Sequence, residues 1–516
     1  MSKRIPLDVV DSQGNSLYVS ERKVYPRDVS GRLNRLRVAA VIWLLGMYYL
    51  FPWLQWDGRQ AVLFDLPARK FYVFGLVFWP QDFLFLALLL IIAAMTLFFF
   101  TTLAGRLWCG YACPQTVWTE VFLWMERWTE GDRGRRMKLD AGPWNREKIL
   151  RKGSKHLLWL VFALWTGFTF VGFFTPITDL WSRMWPFAWG GWEIFWVLFY
   201  ALATWGFAGI LREQVCKYMC PYARFQSAMF DRNTLLIAYD PMRGEPRGPR
   251  KRGLESVLQR ARGLLDKVTA YDYVFRSSAH PTAADNRLQA HGTISFDHAA
   301  AVAEPLPKFP PDQLGDCIDC TICVQVCPTG IDIRNGLQYE CIACGACIDA
   351  CDEVMDKMGY PHGLIRYSTQ NAIDGKPTRV LRPRILVYGF ILLALVVGWG
   401  WGVTHRTTLI AEVLRDRNAL YREVGGGQVE NSYTLKLVNK EQQAQQYRIR
   451  LETGTPGIVL RDADTIIKAN AEQVVSIPII VSGPDSVSGR HTLRFQIEST
   501  DGSTRKTVES SYFGPL

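Results

Sequence analysis

Eight cysteines lie within 35 residues, CIDCTICVQVCPTGIDIRNGLQYECIACGACIDAC, from Cys317 to Cys351. They read Cys317-x2-Cys320-x2-Cys323-x3-Cys327-Pro328 and then Cys341-x2-Cys344-x2-Cys347-x3-Cys351. Three cysteines wound this tightly can take three corners of an iron-sulfur cube, while the fourth, set off by the x3 turn, reaches the neighbouring cube. The spacing therefore assigns Cys317, Cys320, Cys323 and Cys351 to one 4Fe-4S cluster, and Cys341, Cys344, Cys347 and Cys327 to another. Structural zinc uses two separated pairs and has no use for a third cysteine two residues on. Asp352 stands after the last cysteine where proline follows the fourth, which is expected to alter that turn without removing a ligand.

The other four cysteines form two short motifs, LWCGYACPQ with Cys109 and Cys113, and QVCKYMCPY with Cys216 and Cys220. Both read C-x-Y-x-C-P, and each closely follows an apolar run. With Pro114 and Pro221 as first residues of new helices, Cys113 and Cys220 become N-caps, where free N-H groups and the helix dipole are expected to lower a thiol's pKa. Paired thiolates favour soft ions such as Cu(I) or zinc. A third iron-sulfur cluster on all four thiols, or a purely structural role as small hydrophobes, are the other readings.

Five runs can position these cysteines at a membrane: 38–54, 82–104, 157–174, 192–211 and 385–403, each near the ~20 residues a crossing helix needs. Eight Lys and Arg precede residue 38 and eleven fall in 105–156, against three in 55–81 and only Arg183 in 175–191. This bias places the tail and the 105–156 loop in the cytoplasm, and with them 212–384, leaving 404–516 outside. It also accounts for the net charge of +11 without a nucleic-acid partner, for which no recognition motif is present. The long basic stretch before the first run does not read as a signal peptide. With all 12 cysteines between Cys109 and Cys351, on or near the reducing side, structural disulfides are not expected.

The spans 38–113 and 157–220 look like a duplicated hairpin that brings four thiols together. Residues 253–268, GLESVLQRARGLLDKV, have one apolar face and form either a surface helix on the inner leaflet or a packing helix. The polar, Ala- and Pro-rich stretch after it reads as a linker in which His280, His291 and His298 are solvated, and His362 reads as a turn residue. After the last span, SYTLKLVN, QYRIRLE, VVSIPIIVS and HTLRFQIES alternate with period two, predicting an antiparallel β-sandwich of about seven strands.

The expected architecture is a multi-domain, polytopic α-helical membrane protein with a two-cluster ferredoxin-like α+β module and a C-terminal Ig-like β-sandwich. Its parts are a basic tail (1–37), a four-span membrane domain (38–225), a cytoplasmic linker (226–311), the dicluster module (312–372), a fifth span (385–403) and the sandwich (410–516). The residues alone point to a membrane redox protein.

The chain resembles the FixG/CcoG/RdxA family of cytochrome c oxidase accessory proteins. The resemblance rests on the paired C-x-x-x-C-P motifs, YDPMRGEPRG from Tyr239, the cysteine cassette and YPHGLIRY from Tyr360. It implies two 4Fe-4S clusters, a periplasmic Ig-like domain in a bacterial inner-membrane protein, and reduction of Cu(II) to Cu(I) for assembly of a cbb3-type oxidase. Expected partners are membrane lipid, a cytoplasmic electron donor, and oxidase-assembly or copper-handling proteins. On this reading Cys109, Cys113, Cys216 and Cys220 bind or pass copper as catalytic and metal residues of a cupric reductase. Two alternatives are an electron-transfer subunit feeding quinone or a partner enzyme, and a non-catalytic scaffold that senses redox state.

Overall fold

The computed structural model describes residues 23–186, 188–249, 314–416, 419–461 and 466–515. The 253–268 segment, the linker histidines and the start of the basic tail lie outside the described residues. The chain divides into two units, residues 1–395 and 396–516.

Helices Arg32–Trp53, Pro80–Ala104, Arg146–Val171 and Gly191–Leu211 of the first unit, and Pro383–Thr404 across the division, are long and apolar enough to cross a membrane. The second is apolar on every side, and Phe83, Leu84, Leu90 and Phe100 stand exposed on it. Such a surface suits lipid and not water. The third helix differs from its expected bounds. It begins at Arg146, where Asn145 Oδ1 accepts from Lys148 N at 2.7 Å, and ends at Val171 before Gly172. The added turns are polar and contain Lys148 and Lys155, both buried, so hydropathy alone misses them.

Two features were unexpected. A three-stranded antiparallel sheet (Val62–Asp65, Lys70–Val73, Leu76–Phe78) fills the connection between the first two spans. The fourth span also winds into a π-helix over Trp205–Leu211, ending at Arg212 with φ 42°. Gly105, which follows the second span, has φ 56°. A left-handed backbone is strained for arginine. Arg212 is held there by its own side chain, which donates to Gly209 O at 2.8 Å and Glu126 Oε2 at 2.7 Å.

Glu126 is the centre of a buried charge network. Its side chain is fully buried, with Arg136 at 3.2 Å, Arg212 at 2.7 Å and Lys155 at 3.7 Å. Lys155 and Lys152 also pair with Glu130, at 2.8 and 3.0 Å. A buried carboxylate is tolerable only when paired in this way.

The cassette folds around the short helix Ile322–Gln325, the helix Ala346–Met358 and a two-stranded antiparallel sheet of Leu236–Tyr239 with Ile365–Ser368. Its apolar core includes Ile237, Ile333, Ile348, Met355 and Ile365 together with Cys317 and Cys323. Helix Ala346–Met358 runs straight through Cys351 and Asp352. The turn after the last cysteine is thus altered, because Asp352 permits the helix to continue where proline would disrupt it. Asp352 Oδ1 instead accepts from Gly363 N at 3.0 Å.

The second unit is a sandwich of two antiparallel sheets with nine strands among its described residues, two more than expected. One sheet runs Val459–Leu460, Val474–Pro484, Gln428–Asn439, Leu409–Arg415, with Arg422–Val424 also on Gln428–Asn439. The other runs Ile466–Ala469, Gln445–Thr453, Arg490–Ser499, Arg505–Phe513. Alternate residues such as Leu435, Leu437, Ile449, Phe495 and Ile497 fill the space between them, as a period of two requires.

Candidate metal centre

The eight cassette cysteines line two adjoining cavities. Cys317, Cys320, Cys323 and Cys351 line one, with Val354 and Leu364. Cys327, Cys341, Cys344 and Cys347 line the other, which Cys323 also borders. The loops that shape them share a backbone pattern. Asp319 and Thr321 in the first half, and Ala343 and Gly345 in the second, all have φ between 53° and 78°. Three of the four are not glycine. Strain of this kind persists only where the surroundings over-determine it.

The donor chemistry fits an iron-sulfur group. Burial pushes the thiols of Cys323, Cys341 and Cys351 up to about 12 and raises those of Cys344 and Cys347 as well. Sulfur so buried is a poor free thiolate, but a coordinating cation deprotonates it outright. Among the described residues, no three His, Cys, Asp or Glu side chains converge as around a single ion.

The membrane-edge motifs pack directly against the second cavity. Cys109 and Gly110 lie on the short helix Leu107–Tyr111. A Cβ on Gly110 would stand 2.8 Å from Ile342 O and 2.9 Å from Cys344 Cα, so only glycine lets these backbones meet. Cys109 and Cys216 share one apolar cluster with Ile342, Cys344 and Cys347. Arg106, 2% exposed, donates to Tyr339 O and Ala223 O. It also lies in the electrostatic field of Cys109, Cys216, Cys220 and Cys341. Tyr111 and Tyr367 meet hydroxyl to hydroxyl at 3.3 Å, and Tyr367 donates to Ala343 O at 2.7 Å.

Cys113 and Cys220 are N-caps of helices Pro114–Glu130 and Pro221–Met229. The expected lowering of the Cys113 pKa does not occur. Burial raises that thiol, and hydrogen bonds from the Gln115 and Thr116 backbone only partly offset it. Cys109 and Cys216 are likewise pushed up to about 12, by burial first and neighbouring cysteine sulfur next. Within this group Cys113 and Cys216 act on Cys109, Cys220 acts on Cys113, and both Cys113 and Cys220 act on Cys216.

Several supporting residues escape a reading of motifs. Gln226, fully buried, accepts from Cys109 Sγ at 3.3 Å. Asp349, on the cassette helix, caps the first span by accepting from Leu33 N at 3.2 Å and Asn34 N at 2.7 Å. Arg243 of YDPMRGEPRG binds Asp316 at 2.5 Å and His362 O at 2.9 Å, tying both ends of the cassette together. His362 itself is exposed and pairs with Asp356 at 2.6 Å.

Known proteins match this arrangement. A 4Fe-4S dicluster family model matches residues 211–271 and 289–370, and a 4Fe-4S binding domain model matches 86–136. A model of the IG-like fold at the C-terminal of FixG matches 399–515. Nitrogen fixation protein FixG of Rhizobium meliloti is 37% identical over 489 residues, covering 87% of this chain and 82% of that protein. The chain belongs to the FixG/RdxA family. Protein RdxB of Cereibacter sphaeroides is 36% identical over 95% of this chain and 94% of its own length. The crystal structure of a FixG-related protein from Vibrio parahaemolyticus aligns with 21% of this chain and 99% of that one, at 29% identity and a TM-score of 0.20. Like its family, this chain is an iron-sulfur electron-transfer protein of transmembrane character.

Proposed function

We propose that the protein carries electrons from a cytoplasmic one-electron donor of the flavin or iron-sulfur class, through the cassette, to the membrane-edge thiols, where Cu(II) is reduced to Cu(I) for assembly of a cbb3-type oxidase. Cys317, Cys320, Cys323 and Cys351 hold one 4Fe-4S cluster, and Cys341, Cys344, Cys347 and Cys327 the other. When bound, such a cluster takes up and releases one electron at a time, so each electron from the donor reduces one Cu(II).

The observation that carries this reading is the contact of Gly110 with Ile342 and Cys344. It sets the helix that carries Cys109 against the loop of the second cavity. Ile342 and Val326 belong to the shared apolar cluster, and Arg106 provides a fixed positive charge in the field of sulfur from both sets. Beside Cys216 a cavity lined by Gln115, Thr116, Glu120, Glu213 and Thr329 offers an approach for a small hydrated ion. In this account the cassette faces the cytoplasm and the sandwich the periplasm of a bacterial inner membrane, with the sandwich docking oxidase-assembly or copper-handling partners.

The test is anaerobic oxidation of dithionite-reduced, full-length protein by Cu(II). Stoichiometric Cu(I), trapped by a chelator, is the expected product. Electrons passing to a quinone but not to Cu(II) would overturn the copper assignment.

A further inference from the structure

The connection that leads into the third span encloses a cavity of about 280 Å³, lined by Arg135, Lys138, Lys148 and Arg151 together with Glu130 and Glu147. Both carboxylates are already neutralised. Glu130 pairs with Lys152 at 3.0 Å and Lys155 at 2.8 Å, and Glu147 with Arg151 at 2.9 Å. Three cations are left over: among the described residues, Arg135, Lys138 and Lys148 make no ion pair. Lys148 is the unusual one, since it is only 6% exposed. Its ammonium donates to Asp140 O at 2.9 Å and Gly142 O at 2.7 Å, and lies 5.0 Å over the ring of Trp144. Those partners satisfy its hydrogen bonds and leave its charge uncompensated, whereas a buried charge is ordinarily paired. Lys148 also stands in the first turn of helix Arg146–Val171, where the helix dipole disfavours a cation and favours an anion.

The surroundings indicate which anion. Trp128, Trp144, Ile149 and Leu150 all stand exposed around this connection, and tryptophan so placed marks the interface of a bilayer. Leu157 and Val161, further along the same helix, are exposed as well. Leu157 comes six residues after Arg151, about 9 Å along the helix axis. A headgroup layer is about 5–8 Å thick on each side of the hydrocarbon. The cavity therefore lies at the outer edge of that layer, within reach of long basic side chains. This face of the molecule is also the one that carries the cassette: Arg133 donates to Tyr25 O at 2.9 Å, and Arg27 N donates to Gln325 O at 2.8 Å.

We propose that this cavity is a binding site for the phosphodiester headgroup of an anionic phospholipid in the leaflet that faces the cassette, with Arg135, Lys138 and Lys148 supplying the positive charge. The lipid phosphate gives Lys148 the counter-charge that the protein withholds, and Trp144 and Ile149 meet the membrane beside it. The site stands apart from the electron path and does not depend on it.

The experiment measures amide exchange of the full-length protein in nanodiscs of phosphatidylcholine, of phosphatidylcholine mixed equally with phosphatidylglycerol, and of phosphatidylcholine with millimolar inorganic phosphate. The expected result is exchange over 131–151 slowed by phosphatidylglycerol and unchanged by inorganic phosphate. Equal exchange in both lipids would overturn the proposal, and equal slowing by inorganic phosphate would overturn the lipid assignment. Neither outcome needs a variant. Native mass spectrometry then locates the lipid. Arg135→Gln/Lys138→Gln, which alters two exposed side chains, should retain phosphatidylglycerol about tenfold less well, as expected for two cations beside an anionic surface. Arg146→Gln, at an exposed cation outside the cavity lining, should retain it as the unaltered chain does. Undiminished retention in the double variant, or an equal loss in both variants, would contradict the site.

Discussion

The two units of this chain are held together by opposite means. The sandwich buries hydrocarbon: Leu435, Leu493, Phe495 and Ile497 are fully enclosed, and its buried polar groups are few and neutral apart from Lys440. The unit before it buries Arg37, Arg106, Glu120, Glu126, Glu130, Arg136, Lys155 and Arg212, and brings its parts together through polar caps and close backbone contacts. A hydrophobic core specifies a shape and tolerates repacking. A buried ionic network is weak evidence for stability but leaves few alternative arrangements when any partner is lost. That difference follows the sequence separation, since Cys109 and Cys216, more than 100 positions apart, pack on one apolar cluster.

The largest break in this comparison should come from Glu126→Ala, which leaves Arg136, Arg212 and Lys155 without their shared carboxylate. Removing one partner of a buried pair costs about 3–5 kcal/mol. Scanning calorimetry should show the cluster-bearing transition lowered and the sandwich transition unmoved. Phe495→Ala should do the converse at a similar cost of about 3–5 kcal/mol, because Phe495 is fully enclosed beside Tyr433, with ring centroids 5.6 Å apart. Cluster absorbance should be unchanged in that variant.

How far each unit can be read from its residues follows the same division. The sandwich is announced by period-two runs, because its pairings are between neighbouring strands. The cassette is announced by ligand spacing, and the spans by hydropathy. The positions that join cassette to membrane edge carry no such signal. Gly110 lies 232 residues from Ile342 in sequence, and nothing local reports their contact. Asp349 resembles any surface aspartate of a helix until it is seen capping the first span. Asp319, Thr321 and Ala343 adopt left-handed backbone without the glycine that would advertise it. The Cys113 thiol departs from its expected direction for a related reason: the cap is local and visible, whereas burial comes from distant packing.

Two smaller changes sharpen the comparison within the first unit. Gly110→Ala places a methyl group against backbone atoms at 2.8–2.9 Å. Overpacking of this kind costs about 1–3 kcal/mol, and here it should also separate the Leu107–Tyr111 turn from the second cavity. Freeze-quench spectroscopy should then show cassette clusters that load normally but discharge to the membrane edge more slowly. Asp349→Ala removes the cap on the first span and should cost about 1 kcal/mol. Amide exchange should report it at Leu33 and Asn34.

The most direct test of the electron path is the rate at which fully reduced protein is reoxidised by Cu(II), followed by cluster absorbance under anaerobic conditions. It compares the native chain with Cys109→Ser/Cys113→Ser/Cys216→Ser/Cys220→Ser protein whose cassette signal is intact. The account predicts reoxidation slower by at least about tenfold in the variant, a barrier higher by about 1.4 kcal/mol or more. Equal rates would show that electrons leave the cassette without passing the membrane-edge sulfurs, and would contradict it.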